Sequence, residues 1–233
     1  MTDVTTETTV SHPDNVPPTV WTQDSLGWLP WLEPLPLDEL TDRHWEGLVD
    51  RGRANSDYFR LLVRDPDILG ARTRTDNDIF YNAKDGLPRA ERELAAAATS
   101  RTNGCVFCAS VHSRFATHQS KRFDDVQRLL DEGITADLED ERWNAVVAAA
   151  AAITGPSGTL TAAHIDRLRA TGLDETSVYD VIHSSAFFNW ANRLMLSLGE
   201  PTARLTADRV AGDEGARVSR SLDQRVQPEL LAQ

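Results

Sequence analysis

Apolar side chains recur along this chain every three or four residues, and stretches of strict alternation are nearly absent, so the pattern is that of amphipathic helices. Leu40, Trp45 and Leu48 share one side of a predicted helix over residues 38–49, and Tyr58, Phe59, Leu61 and Leu62 mark a short second one. Asp65-Pro66 restarts the chain, because aspartate caps well and proline suits the first helical position. The helix that follows carries Ile68, Leu69, Ile79 and Phe80 and is interrupted by Gly86. Leu87-Pro88 opens a helix over 89–102, closed by Asn103-Gly104. Next comes a helix over 105–119, with Val111 and Phe115 expected at the core. Val126, Leu129 and Leu130 follow Phe123 in an amphipathic helix that ends at Gly133. Further helices are expected over 137–154, from Thr161 through Leu168, and from Asp174 onward with Val178, Val181, Ile182, Ala186, Phe187, Trp190 and Leu194. No segment reads as a convincing strand, and the expected fold class is all-α.

The ends differ from the middle. Residues 1–20 are dominated by Thr, Pro, Asp and Asn, with too little apolar surface to order themselves, and read as a disordered leader. From 20 to 37, Trp21, Leu26, Trp28, Leu29, Trp31 and Leu32 stand between prolines. This Trp/Pro-rich arm could not stay exposed without cost, so it packs on its own body or clasps a neighbouring subunit. The helical domain is expected over 38–202, and 203–233 is a C-terminal extension in which the apolar period fades. Glu141-Arg142 before an alanine-rich run repeats the arrangement of Glu91-Arg92 before its own, a weak internal helical repeat in which one copy alone is followed by cysteines.

A formal charge of −12 repels phosphate backbones and argues against nucleic acid as a partner. The longest uncharged run, 143–158, is too short and alanine-rich for a membrane span, and the first residues lack the basic and apolar regions of a signal peptide. A soluble cytoplasmic protein is expected. Two cysteines in 233 residues do not make a disulfide framework. In a reducing compartment, a C-x-x-C pair reads as redox-active or metal-binding.

Both cysteines lie in Asn103-Gly-Cys-Val-Phe-Cys-Ala-Ser-Val-His112, where Cys105, Cys108 and His112 fall within about 60° of one another on a helix. With Asn103 as N-cap, the pair would occupy the first turn, where free N–H groups and the macrodipole favour a thiolate. A closed zinc site would need a fourth ligand, and His118 alone is near in sequence. Inert packing of the three side chains is the plain alternative. Thiol chemistry needs a nucleophilic thiolate, a second thiol within reach and a route for protons, and His112, one turn beyond Cys108, can relay one. The preceding helix offers Glu91 and Glu93, which point about 200° apart, so at most one faces the cysteine helix. Glu93 lies beside the buried face of Leu94, Ala97 and Ala98. Glu91 reads as a solvated glutamate of the first turn.

Leu87-Pro-Arg-Ala-Glu-Arg-Glu-Leu-Ala-Ala, the 103–112 stretch and Phe188-Asn-Trp-Ala-Asn-Arg193 together resemble the alkylhydroperoxidase AhpD-like proteins of the carboxymuconolactone decarboxylase superfamily, especially its peroxidase-related branch. The resemblance covers about residues 45–200. It implies an AhpD-like helical bundle assembling as a trimer or larger homo-oligomer. It further implies Cys108 as the peroxidatic cysteine, Cys105 as the resolving one, and Glu93 and His112 as the proton relay. The substrate would be a peroxide, and the reductant an external dithiol of the lipoyl-bearing or thioredoxin-like kind. No cofactor and no metal are called for. Well-studied members carry a histidine between the cysteines, where this chain has Val106-Phe107. Asn189 and Asn192-Arg193 fit a recurring pattern of the last helix, read here as a structural amide network near the site. Decarboxylating members lack the cysteine pair, which disfavours that activity. Disulfide exchange by the same pair, or a redox-sensing or structural helical protein, are the alternatives.

Overall fold

The periodicity resolves into helices in a computed structural model that describes residues 9–156 and 158–203. The first eight residues of the leader and the extension beyond residue 203 lie outside the described residues. Two compact units divide the chain. Strand β1 (Gly27–Pro30) pairs with β2 (Gly199–Thr202), a small sheet where no strand was expected. Neither four-residue segment is long enough to carry a readable alternation.

One unit contains residues 9–15 and Leu29–Arg74. Here the helix expected over 38–49 is broken: a 3-10 turn at Leu37–Glu39 precedes α1 (Asp42–Leu48). Thr41 between them is extended and forms a capping box with His44, whose Nδ1 accepts the Thr41 amide at 3.1 Å. That cap satisfies donors of the first turn and fixes the later start. Helix α2 (Asp57–Leu62) follows, and α3 (Pro66–Tyr81) begins at the expected proline. Leu48, Val63 and Leu69 are the centre of this unit's core. Gly47 permits a backbone approach that a Cβ would forbid, since it would stand 2.6 Å from Pro66. In the described part of the leader, the Val10 amide donates to Trp31 O at 2.9 Å, and His12 Nε2 lies 2.8 Å from Pro30 O.

The other unit contains Val16–Trp28 and Thr75–Ala203. Its axis is α4 (Arg89–Asn103), in which every residue from Glu91 to Ser100 is buried. Around it pack α5 (Val106–Ser120), α7 (Glu141–Thr154) and α9 (Glu175–Leu198), with α6 (Phe123–Glu132) and α8 (Ala162–Ala170) completing the layer. The small side chains of both alanine runs, Ala95, Ala97 and Ala98 with Ala145, Ala149 and Ala150, share one core and let α4 and α7 approach closely. Helix α7 starts at 141 rather than 137 because Asp140 is its cap, accepting the amides of Arg142 and Trp143 at 2.9 and 3.0 Å. Asp174 caps α9 through Ser177 N at 2.8 Å, as expected. Val111 and Phe115, expected at the core, are only half-buried, and the inner face of α5 is Cys108, Ala109, Ser113 and Ala116.

Residues 16–28 of this unit lie on α4, α5 and α6. Gln23 accepts from Thr117 Oγ1 and donates to Phe123 O and Gln127 Oε1, and Arg101 stacks on Trp21 at 4.3 Å. The loop before α4 is held by one buried guanidinium. Arg92 donates to the carbonyls of Leu87, Ile79, Asn82 and Asp85 and pairs with Asp180 on α9 at 3.1 Å. Asp180 also accepts the Leu87 amide at 2.8 Å. Gly86, at φ +86°, is required beside them, since a Cβ there would run into the Asp180 carboxylate. Among the described residues no helix is long and apolar enough to cross a membrane.

Candidate active site

The corner between α4 and α5 is two residues long. Asn103 is the last residue of α4, Gly104 takes the left-handed conformation at φ +78°, and Cys105 is the N-cap of α5. Asn103 is therefore not the cap that the sequence suggested. Its side chain turns instead to α9, where Asn189 Oδ1 and Asn192 Oδ1 each accept from Nδ2 at 3.0 Å. The cysteines consequently occupy N-cap and N3, one turn apart on the same face, with their sulfurs sharing a hydrogen bond at 2.9 Å. Both are free thiols and both are buried, Cys105 at 2% and Cys108 at 5% exposure. The hydrogen bond shared with the Cys108 side chain holds the Cys105 thiol below its ordinary value against the opposing effect of burial, and the Cys108 backbone N–H adds to the lowering.

One turn further, His112 Nδ1 lies 2.6 Å from Glu93 Oε2. The second Glu93 oxygen accepts from Arg89 Nε at 3.1 Å, an i,i+4 ion pair along α4. A carboxylate so held accepts from the imidazole, so Nδ1 carries the proton and Nε2 keeps its lone pair. Rings fix the imidazole plane: Phe188 stands edge-on at 4.0 Å between centroids and Phe80 at 5.4 Å. Arg89 is itself sandwiched, with its guanidinium 4.4 Å from the Tyr81 ring and 5.3 Å from that of Phe115. Val106 and Phe107, the two residues between the cysteines, are half-buried.

The fold thus brings Cys105 and Cys108 together, and Glu93 and His112 together, on facing sides of α4 and α5. Glu91 goes elsewhere. It is not the solvated glutamate expected of a first turn, since it is 8% exposed, and burial raises its pKa despite Arg142 in the first turn of α7 and Arg122 at the head of α6. Sequence reasoning missed Arg89, although its spacing of four from Glu93 was a usable signal. It also missed Phe80, whose apolar position on α3 announces core and nothing more. Arg193 is exposed, so of the last-helix motif Asn189 and Asn192 alone join the network. Among the described residues no group of three His, Cys, Asp or Glu side chains could hold a metal ion.

Residues 66–152, the segment with both cysteines, His112 and Glu93, match the carboxymuconolactone decarboxylase family. Solved structures align more widely. An uncharacterized peroxidase-related protein from Silicibacter sp. TM1040 is 24% identical over 73% of this chain and 92% of its own, with a TM-score of 0.60. The alkylhydroperoxidase AhpD core of an uncharacterized peroxidase-related protein from Ralstonia eutropha JMP134 is 23% identical over 75% and 91%, with a TM-score of 0.61. The debrominase Bmp8 is 21% identical over 78% and 96%, with a TM-score of 0.58. No curated protein matches the chain. The family match is confined to segment 66–152, and the fold of the chain is similar to that of solved AhpD-like, peroxidase-related proteins.

Proposed function

We propose that this protein is a thiol-dependent peroxidase that reduces a hydroperoxide through Cys108 and Cys105. The observation that carries the reading is the pairing of two free thiols at 2.9 Å with a buried Glu93–His112 hydrogen bond one turn away. His112 Nε2 takes the Cys108 proton, and Glu93 stabilises the imidazolium that results. The Cys108 thiolate attacks the terminal peroxide oxygen. The O–O bond breaks, and the alkoxide takes the proton held by His112 and leaves as the alcohol, giving Cys108 sulfenic acid. Cys105 then displaces the sulfenic oxygen as water and closes the disulfide, which an external dithiol reduces.

The burial of both sulfurs supports a small oxidant over a protein disulfide as the species reduced. A second reading uses the same two electrons differently. Bmp8, which resembles this chain, is a debrominase whose variant was solved with 2,3,4-tribromopyrrole. A halogenated arene would be reduced to the arene and bromide as the dithiol becomes the disulfide, and the Phe80 and Phe188 walls at His112 favour an aromatic ligand of this kind. Turnover of hydrogen peroxide, organic hydroperoxides and 2,3,4-tribromopyrrole, each with a panel of dithiol reductants, separates the two. Consumption of none of them, with the thiols intact throughout, would remove both.

A further inference from the structure

At Gly104 the corner before Cys105 faces open space: nothing lies within 4 Å of where a Cβ of Gly104 would stand. What restrains it is a chain of amides. Asn103, just before the turn, donates to Asn189 and Asn192 on α9. Asn192, fully buried, sends its own Nδ2 to Ser100 Oγ at 3.1 Å. The Ser100 carbonyl accepts the amides of both Gly104 and Cys105. Asn189 is fixed in turn by Ser185 O at 3.0 Å and Thr154 Oγ1 at 3.2 Å. Three amides held at or near the interior are costly unless each is paired, and apolar side chains would fill the same volume more cheaply. What hydrogen-bonded amides add is direction.

We propose that Asn103, Asn189 and Asn192 are positioning residues that hold the Cys105–Cys108 pair at the separation from which its disulfide closes, and so set its thiol–disulfide equilibrium. The inference rests on the reading of this pair as redox-active. Its sulfurs are 2.9 Å apart. A disulfide needs about 2.05 Å, so closure asks for a shift of roughly 0.9 Å and no rebuilding of the corner. Without the amides, the corner would have to be ordered as the bond forms. The effective concentration of one thiol at the other would fall, and the disulfide would become less stable relative to the dithiol.

The test equilibrates the full chain with oxidised and reduced dithiothreitol. Two thiol hydrogens pass from the cysteines to the reagent as the protein disulfide forms, and the two protein forms are quantified by mass after acid trapping. Asn103→Ala should lower the equilibrium constant for disulfide formation about tenfold, which is a potential about 30 mV more oxidising. Asn189→Ala, which leaves the Asn103–Asn192 bond, should shift it less and in the same direction. Leu168→Ala, which opens a cavity in the core beneath α8, should lower Tm and leave the constant unchanged. A constant for Asn103→Ala within twofold of wild type, or an equal shift in Leu168→Ala, would overturn the inference. Should Asn103→Ala fail to fold, an unchanged constant in Asn189→Ala overturns it instead. Wild-type protein that forms the disulfide but consumes no peroxide removes the peroxidase reading and leaves this inference standing. Wild-type protein that forms no disulfide overturns both.

Discussion

Glu93 and His112 lie nineteen positions apart in sequence and 2.6 Å apart in space, with side chains only 2% and 11% exposed. A contact so enclosed fixes the tautomer of the imidazole. Glu93→Gln keeps the shape and the Arg89 contact but cannot stabilise an imidazolium. Peroxide-driven oxidation of Cys108 should slow by about a hundredfold or more, with the helical circular dichroism unchanged. Stopped-flow peroxide consumption is the check, and a wild-type rate would mean that the relay is not used.

The two cysteines should fail differently. Cys108→Ser is expected to abolish peroxide-dependent oxidation, whereas Cys105→Ser should stop at a sulfenic acid that mass spectrometry detects as one added oxygen. Cys108→Ala should also raise the Cys105 pKa, because the hydrogen bond that lowers it is lost and the burial that opposes it remains. Ultraviolet thiolate absorbance across a pH titration reads this directly. A midpoint that stays put would show that the Cys108 thiol does not govern its neighbour.

Arg92 supplies the loop before α4 with donors that nothing else replaces. Arg92→Leu leaves four carbonyls and Asp180 without it and should cost about 3 kcal/mol or more in urea unfolding. Gly86→Ala should cost about 2 kcal/mol, from its positive φ and the collision with Asp180. Stability within about 0.5 kcal/mol of wild type, the range typical of neutral surface changes, would contradict this account of the loop.

Glu91 yields a prediction of opposite sign. Burial raises its folded pKa above the ordinary 4.5, so the fold disfavours the ionised form. The penalty is absent below 4.5, grows as pH rises through the raised folded value, and is complete above it. Glu91→Gln removes it. The Tm of the variant relative to wild type should therefore improve as pH rises across that window and then level off. A difference independent of pH would show that the carboxyl is not held in its neutral form.

Much of this was legible in the sequence, for identifiable reasons. Thr161 and Asp174 are strong local signals, and helices start just after both, whereas Asp140 is an equally local cap that the expected start at 137 overlooked. The C-x-x-C face and Glu93 could be placed because helical spacing fixes direction. What could not be read depends on partners distant in sequence. Asn103 has the chemistry of an N-cap and is drawn away by two asparagines of α9. Glu91 has the chemistry of a solvated first turn, but α7 covers it. The expectation of a single helix over 38–49 failed for the reverse reason, because the Thr41–His44 cap is local and was overlooked.

Helix α4 is sheathed on every side, from Glu91 through Ser100. Its amides should be among the last in the molecule to exchange hydrogen for deuterium, since none is released without opening the core. Glu93 and Ser100, one facing the imidazole and the other suspending Cys105, both belong to that slow stretch. Glu93 is thus anchored to backbone that opens only when its whole unit does, and local fraying would not loosen the carboxylate that holds His112.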